Sequence, residues 1–304
     1  CVAEYLVDHA SPVSTVWDPA CGGGVILLAA ARRFLNEGIS PACVLERLYG
    51  TDLDQDAVLL CRRLLWLFMR EHARDNGEAF SWAELLKERI VSFDALSDSR
   101  SPGFPAEFSA IVGNPPYRKE RGDKASRQTV SESMLGKRYR TARMDYWYYF
   151  VHRGLEHLAP GGRLAFIVDA YWTSSSSARR LVDHIQDASV PEEFFFLGDQ
   201  PVFTGVSGRH MMMTLRKKER TISQRAGVKE NASVRIVRTS SDDNRRGKKS
   251  AASLEDVLTW GIDCKTQTKR LDAIFRESRL DLTEDLPSCT VLRQESVKSQ
   301  CIAK

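Results

Sequence analysis

The sequence predicts an α/β fold in which helices cover a β-sheet. Between residues 14 and 215, short apolar runs of strand length alternate with longer amphipathic stretches, and this alternation is typical of that fold class. The predicted strands are residues 15–17, 48–50, 90–93, 109–112, 164–168, 193–197 and 211–215. The clearest predicted helices are residues 25–35, 55–75, 146–158 and 178–187, and a Pro-Gly-Gly sequence at residues 160–162 predicts the end of the third.

The composition is that of a soluble globular protein, because 42% of the 304 residues are hydrophobic and 28% are charged. No apolar run approaches the roughly 18 residues of a membrane span. The seven cysteines are scattered without Cys-x-x-Cys spacing, so we expect no disulfide framework, no metal site and a reducing cytoplasm, bacterial or archaeal. Residue 1 is Cys rather than Met and no signal peptide follows it, which leaves open whether the chain is a fragment.

The basic residues concentrate in two stretches, although the net charge is only +4. Residues 118–143 contain nine basic and three acidic side chains, and residues 209–249 contain thirteen basic and four acidic ones. Apolar periodicity lapses after residue 218, so residues 218–253 are interpreted as a basic polar linker. A weak helical pattern returns over residues 254–282, which suggests the start of a further, partial C-terminal region over residues 254–304.

A glycine-rich stretch, Asp18-Pro19-Ala20-Cys21-Gly22-Gly23-Gly24, follows the first predicted strand and precedes a helix. Glycines in this position permit a tight turn and let a ligand approach the backbone, while the helix start offers unpaired amides. A phosphate-binding loop would need Lys-Ser or Lys-Thr where Val25 and Ile26 stand, and a dinucleotide fingerprint would need glycine at Leu27. An ordinary strand-to-helix turn remains the alternative.

Acidic residues end the next two predicted strands. Asp52 is placed to accept hydrogen bonds from ribose hydroxyls, as an acidic residue does at this position in nucleoside-binding sheets. Asp54 is expected instead to cap the helix that begins at Gln55. Asp94 follows the third strand and could accept from an adenine amino group, with a turn residue as the alternative.

The most informative element is Asn114-Pro115-Pro116-Tyr117, directly after the fourth predicted strand. Two successive prolines extend the backbone and remove two donors, so the local carbonyl groups are presented as acceptors. The Asn114 amide oxygen adds another acceptor, and Tyr117 offers a flat ring for stacking on a base. Asn-Pro also occurs in ordinary turns.

Taken together, these motifs resemble the S-adenosylmethionine-dependent adenine-N6 DNA methyltransferases of the gamma arrangement, and most closely the modification part of type IIG restriction-modification enzymes. Further matching stretches are residues 145–150, 158–168 and 201–205. The resemblance covers roughly residues 2–217 and implies a doubly wound, mostly parallel seven-stranded sheet of the class I methyltransferase, Rossmann-like type. Residues 1–217 are therefore interpreted as the methyltransferase domain.

The resemblance also implies site residues. It implies that S-adenosylmethionine is bound by Asp18, Ala20, Gly22, Gly24, Asp52, Leu53, Asp94, Ala95 and Phe150. The catalytic group is Asn114, Pro115, Pro116 and Tyr117, with Tyr117 on one face of a flipped adenine and Phe203 on the other. Core packing is the alternative for Phe150 and Phe203. No histidine is assigned a role.

Three features depart from the family pattern. The Thr-Pro element that normally precedes the segment resembling residues 2–8 is absent from this chain, Ala95 cannot stack on an adenine as an aromatic residue would, and the C-terminal region is shorter than the usual target-recognition domain. The expected function is adenine-N6 methylation of double-stranded DNA in a restriction-modification or phage-defence system, without metal or membrane, and with a nuclease or target-recognition domain possible outside this chain. The alternatives are a ribosomal RNA or protein-glutamine N-methyltransferase and an inactive fragment that binds DNA or cofactor.

Overall fold

A computed structural model of the chain describes residues 2–8, 14–117, 130–197, 209–219, 233–239 and 264–270. The strands in these ranges are β1 (Val16–Asp18), β2 (Leu48–Asp52), β3 (Ile90–Ser92), β4 (Phe108–Gly113), β5 (Leu158–Asp169), β6 (Ser189–Phe196), β7 (His210–Lys217), β8 (Ser233–Thr239) and β9 (Cys264–Arg270). They form one sheet in the order β3-β2-β1-β4-β5-β7-β6-β8-β9. Strands β1 to β5 pair in parallel, and β7 runs antiparallel between β5 and β6.

All seven predicted strands are present, and they form a contiguous, mostly parallel set, which confirms the predicted class. The described sheet nevertheless has nine strands rather than seven, because β8 pairs in parallel with β6 and β9 pairs antiparallel with β8. Strand β8 lies inside the segment interpreted as a linker, and β9 lies inside the segment with a weak helical pattern. Those two interpretations are wrong for these residues, whereas the domain boundaries at residues 217 and 253 stay a prediction.

The two additional strands have weak sequence signals. In β8, Val234 and Ile236 are buried on one face, but charged residues surround this short alternation in the sequence. The sequence of β9, Cys-Lys-Thr-Gln-Thr-Lys-Arg, contains no aliphatic or aromatic residue. Strand β8 therefore depends on the ladder that β6 offers at the edge of the predicted sheet, and β9 depends on the ladder that β8 offers. Sequence patterns do not report such pairing.

The helices are α1 (Val2–Val7), α2 (Val25–Asn36), α3 (Pro41–Leu45), α4 (Gln55–Arg70), α5 (Asn76–Arg89), α6 (Met134–Tyr139), α7 (Trp147–His157) and α8 (Arg179–Ala188). Short 3-10 helices cover Ala170–Ser174 and Ser176–Ala178. The predicted helix over residues 55–75 ends at Arg70, and Asp75 then caps α5. Helix α7 ends before the Pro-Gly-Gly sequence, as predicted, but these three residues belong to β5. No helix in the described ranges is long and apolar enough to cross a membrane.

The helices cover the two faces of the sheet and enclose two separate apolar cores. Helices α1 to α5 pack on one face and α6 to α8 on the other. Strand β7 illustrates the division, because Met211 and Met213 belong to one core and Met212 to the other, as the alternation of side chains along a strand requires. The functional residues therefore lie at the ends of strands that are buried on both faces.

A buried carboxylate connects the N-terminal helix to the additional strands. Glu193 of β6 is 3% exposed, accepts a hydrogen bond from the Tyr5 hydroxyl of α1 and pairs with Arg235 of β8. Arg235 also donates to the Tyr5 hydroxyl at 3.3 Å. A buried charge is costly unless it is paired, so this cluster makes β8 an integral part of the sheet.

Candidate functional site

The carboxyl ends of four neighbouring parallel strands bring the predicted polar residues to one edge of the sheet. Asp18 ends β1 and Asp52 ends β2, while Asp94 follows β3 and Asn114 follows β4. In open α/β sheets, ligands bind at this edge. In the strand order β3-β2-β1-β4, β1 is the neighbour of β4. The predicted cofactor residues after β1 therefore lie next to the predicted catalytic residues after β4.

The glycine loop (residues 18–24) has the backbone that its sequence predicts. Gly22 and Gly24 have left-handed φ angles of +51° and +85°, which side chains rarely adopt. A side chain at Gly24 would collide with the Cys61 Sγ of α4, so the loop lies directly on that helix. Above Gly22, by contrast, no described atom outside residues 21–23 lies within 4 Å of the position that a Cβ would occupy. The loop is therefore closed on its helix side and open above Gly22.

The Asp52 carboxylate holds the glycine loop through the backbone. Its Oδ2 accepts the Gly22 N–H at 2.9 Å, and its Oδ1 accepts the Asp54 N–H at 3.0 Å. Each carboxylate oxygen has a further lone pair, so both remain able to accept from a ligand. Asp54 accepts the N–H groups of Asp56 and Ala57 and caps α4, which confirms the predicted cap, whereas the ribose contact of Asp52 stays a prediction.

Asp18 is buried between the glycine loop and β4. It is 1% exposed, and its Oδ1 accepts the Ala20 N–H at 3.1 Å. Burial raises the pKa of Asp18 to about 7, and the nearby charge of Asp52 adds to this rise while the Ala20 hydrogen bond opposes it. A Cβ on Gly113 would lie 3.1 Å from Asp18 Oδ1, so glycine at the end of β4 lets the two strand ends approach closely.

Asp94 lines a cavity of about 280 Å³. Its Oδ1 accepts the Leu96 N–H at 2.9 Å, so the turn predicted as the alternative is present, although it does not exclude a ligand at the second oxygen. The other lining residues, none of which the sequence analysis singled out, are Leu96, Ser97, Asp98, Val130, Glu132 and Ser133. Two of these side chains, Asp98 and Glu132, are acidic, yet no group of three or more His, Cys, Asp or Glu residues in the described part of the chain is placed to hold a metal ion.

The remaining predicted cofactor residues differ in exposure. Leu53 is 61% exposed at the end of β2, and Ala20 is half-buried in the glycine loop. Ala95 and Phe150 are buried in the apolar core, and the Phe150 ring packs edge-to-face on Tyr146 at 5.9 Å between centroids. Their roles in cofactor binding stay predictions. Phe203 lies outside the described residues.

The asparagine loop (residues 114–117) is anchored to the interior of the protein by the Tyr117 hydroxyl. The Tyr117 hydroxyl oxygen lies 2.7 Å from Asn114 Oδ1 and 2.9 Å from the carbonyl oxygen of Ile167 in β5. Its ring lies 5.3 Å from the ring of His210, which begins β7 and which the sequence analysis left without a role. Burial and the charge of Asp169 both raise the pKa of Tyr117, so the hydroxyl stays protonated at neutral pH.

Comparison with solved structures supports the fold. The chain superposes on the methyltransferase subunit of a type I restriction-modification system from Streptococcus thermophilus with a TM-score of 0.55 and 15% identity, covering 94% of this chain and 52% of that one. It superposes on the type IIG restriction endonuclease BpuSI with a TM-score of 0.57 and 13% identity, covering 91% of this chain and 30% of that one. The fold is therefore that of a class I, S-adenosylmethionine-dependent methyltransferase.

Sequence comparison identifies the family. The chain is 27% identical over 205 residues to the type II methyltransferase M.XhoI of Xanthomonas vasicola, which covers 62% of this chain and 34% of that protein. It thus spans about a third of the length of this relative. The model of the Eco57I restriction-modification methylase family matches residues 46–203, which is more than half of the chain. On this match, the chain belongs to the Eco57I restriction-modification methylase family.

Proposed function

We propose that this chain transfers a methyl group from S-adenosylmethionine to the exocyclic N6 amine of adenine in double-stranded DNA. The observation that carries the proposal is the position of the asparagine loop, whose first residue follows Gly113 at the point where β4 touches the buried Asp18. Membership in a restriction-modification methylase family supports DNA as the substrate. The acceptor groups of the asparagine loop support an amine as the target.

The glycine loop and its neighbours fit the proposed cofactor. The open space above Gly22 permits close approach of a ligand to the backbone, and the free lone pairs of Asp52 suit two ribose hydroxyls. Asp94, which lines a cavity of about 280 Å³, and Leu53, which directly follows β2, would contact the adenine. When bound, the cofactor supplies an electrophilic methyl group on a sulfonium centre. When Asp18 is ionised, its negative charge would attract the positively charged sulfonium of this ligand.

The asparagine loop acts on the target amine. The lone pair of an adenine amine is delocalised into the ring, which makes the nitrogen a poor nucleophile. Two acceptors, the Asn114 Oδ1 and the Pro115 carbonyl oxygen, would hold the two N–H bonds, favour a tetrahedral nitrogen and stabilise the positive charge that develops there. The bond from nitrogen to the methyl carbon would form as the bond from sulfur breaks, which would leave a neutral thioether, and the methylated nitrogen would then release one proton to solvent. An amide oxygen and a peptide carbonyl oxygen are too weakly basic to take that proton, so the loop acts by position.

The target base must leave the duplex to reach this edge of the sheet. Rotation of a base out of the stack costs a few kcal/mol, and stacking on an aromatic ring recovers part of that cost. Tyr117 would provide one face of such a stack, with Phe203 proposed for the other. The half-buried ring of Tyr117 is already positioned by its hydroxyl contacts, which lowers the entropy lost on binding.

Part of the basic stretch at residues 209–249 is structural. Arg216 pairs with Glu192 at 3.0 Å, and Arg235 pairs with the buried Glu193. These two arginines are therefore assigned to the sheet. We assign phosphate contact to the basic residues near the end of the stretch, Arg245, Arg246, Lys248 and Lys249.

The proposal is tested by offering the protein tritiated S-adenosylmethionine with DNA, ribosomal RNA or a glutamine-containing protein substrate in parallel. We expect label in DNA alone. Label in RNA or in the protein substrate would assign the site to one of the other methyltransferase classes. Binding of DNA or cofactor without transfer to any substrate would support an inactive fragment.

A further inference from the structure

We propose that the Tyr117 hydroxyl orients the Asn114 side-chain amide, so that the amide nitrogen faces Tyr117 and the amide oxygen is left free for the target. Tyr117 would then be a positioning residue for Asn114 in addition to a stacking platform. The identity of the target amine rests on the proposed function, whereas the orientation of the amide rests on hydrogen-bond geometry alone.

The argument begins with the number of protons on the hydroxyl. Tyr117 Oη lies within hydrogen-bonding distance of two oxygens, the Asn114 Oδ1 at 2.7 Å and the Ile167 carbonyl at 2.9 Å. A phenol has one proton and can donate to only one of them. In the other contact, the hydroxyl oxygen must accept a hydrogen bond. The Ile167 carbonyl oxygen cannot donate one, so the contact in which the hydroxyl accepts is the contact with Asn114.

The Ile167 carbonyl needs this proton because a proline occupies the position that would otherwise supply it. The Ala110 N–H donates to Thr15 on the β1 side, so by alternation residues 111, 113 and 115 direct their backbone groups toward β5. Gly113 is paired with Phe166 in the parallel register, and the next donor along the ladder, opposite the Ile167 carbonyl, would be the N–H of residue 115. Residue 115 is proline and has no N–H.

The Tyr117 hydroxyl thus replaces the missing ladder donor of Pro115. A buried carbonyl without a donor costs free energy, and the tyrosine proton removes that cost. With its proton committed to Ile167, Tyr117 Oη can only accept from Asn114, and the group of Asn114 that donates is the Nδ2 amide. A rotation of the amide by half a turn about its terminal bond exchanges Oδ1 and Nδ2 at this contact.

The consequence concerns the chemistry of the target. With Nδ2 bound to Tyr117, Asn114 Oδ1 lies on the opposite side of the amide and is available to accept a hydrogen bond from an amine. In the reverse orientation the loop would present an N–H donor, which repels the N–H groups of the target. Pro115 and Tyr117 therefore act together. Because Pro115 has no N–H, the Ile167 carbonyl accepts the Tyr117 proton instead and so fixes its direction.

A direct test observes the amide itself by NMR in protein labelled with ¹⁵N-asparagine. The Asn114 amide pair is identified by its disappearance in Asn114→Asp. We expect one proton of this pair to exchange with water about fivefold more slowly in the wild type than in Tyr117→Phe, as the loss of one hydrogen bond implies. Equal exchange rates would overturn the proposal. The measurement needs no DNA and no turnover, so its result is independent of whether the proposed function holds.

A second test uses kinetics and a symmetrical side chain. Tyr117→Phe should lower kcat about fivefold with little change in KM for DNA, because the ring still stacks while the amide is free to rotate. In the Asn114→Asp background the two oxygens are equivalent and orientation no longer matters, so the same change should cost less than about twofold. An equal loss in both backgrounds would show that the hydroxyl acts only through stability.

The matched control is Tyr49→Phe. The Tyr49 hydroxyl accepts a hydrogen bond from Arg89 at 2.9 Å, and Arg89 immediately precedes the amino end of β3, at the opposite edge of the sheet from the site. This variant also loses one tyrosine hydrogen bond, but we expect it to retain the kcat of the wild type and the slow exchange of the Asn114 amide.

Discussion

The glycine loop and the asparagine loop lie on neighbouring strands, but they are held in different ways. The glycine loop is held through its backbone N–H groups, because Gly22 donates to the Asp52 carboxylate and Ala20 donates to the Asp18 carboxylate. The asparagine loop has prolines in place of two donors, and its Tyr117 reaches across to β5 for a partner 50 residues away in sequence. The first loop is acidic, whereas the second presents only neutral groups.

This difference matches two different tasks. A ligand with a positive charge is favoured beside carboxylates, while an amine that must act as a nucleophile should meet acceptors that take no proton from it at the outset. Because the contacts are separate, damage to one loop should leave the task of the other largely intact. The predictions below test this separation.

The largest effect is expected for Asn114→Ala. Loss of the amide removes one of the two proposed acceptors, so methyl transfer should fall below about a tenth of the wild-type rate, a loss of more than 1.4 kcal/mol in transition-state stabilisation. Cofactor affinity should be largely unchanged, because Asp18 and Asp52 remain. A turnover assay and calorimetry with the cofactor measure the two properties. Asn36→Ala, at the exposed end of α2, is the control for the substitution itself.

The converse effect is expected for Asp52→Ala. The variant loses both the proposed ribose contact and the carboxylate that holds Gly22, so the dissociation constant of the cofactor should rise about tenfold or more. Asp54→Ala is the matched control: it should lower the free energy of unfolding by about 1 kcal/mol through loss of the α4 cap and leave the dissociation constant unchanged. An unchanged constant in Asp52→Ala would remove Asp52 from the cofactor site.

A third prediction concerns DNA affinity. Replacement of Arg245, Arg246, Lys248 and Lys249 by alanine should flatten the slope of log affinity against log salt by roughly 0.9 for each lost phosphate contact and leave cofactor affinity unchanged. This design is preferable to ending the chain at Lys217, because truncation would remove β8 and leave Glu193 without Arg235. Equal slopes would place the DNA footprint elsewhere, with residues 118–143 as the next candidate.

A separate prediction concerns Asp18→Asn and is measured as stability against pH. The pKa of Asp18 is about 7 in the folded protein and near 3.8 in the unfolded chain, so the folded state binds this proton more tightly. The free energy of unfolding should therefore fall as pH rises from about 4 to 7, by at most about 1.4 kcal/mol per pH unit. The variant cannot titrate at this position and should have a flatter curve. Parallel curves would mean that Asp18 ionises normally.

The two loops also differ in how far the sequence predicts them. The glycine loop depends on residues within its own segment and on Asp52, so spacing alone identifies its turn and the separate cap at Asp54. The asparagine loop was recognised from its residues, but its contact with Ile167 depends on strand register, which local patterns do not report. The cavity-lining residues Val130, Glu132 and Ser133 follow no motif, so the sequence does not predict them.

The same limit applies to the far end of the sheet. Seven strands have apolar runs that predict them. Strand β8 instead forms because β6 has an open edge and because Arg235 pairs with Glu193, and β9 then pairs with β8. Charged residues such as Arg235, whose sequence context is typical of a solvated linker, are here part of the sheet. Long-range pairing of this kind explains why local sequence patterns do not predict the strands at residues 233–239 and 264–270.

The central claim is that the asparagine loop directs methyl transfer to the N6 amine of adenine in DNA. The most direct measurement is mass spectrometry of the nucleosides released from DNA after reaction with S-adenosylmethionine and the wild type, Asn36→Ala or Asn114→Ala. We expect N6-methyldeoxyadenosine with the first two proteins and its loss with the third. Methylation of cytosine, or equal methylation of adenine by Asn114→Ala, would contradict the account.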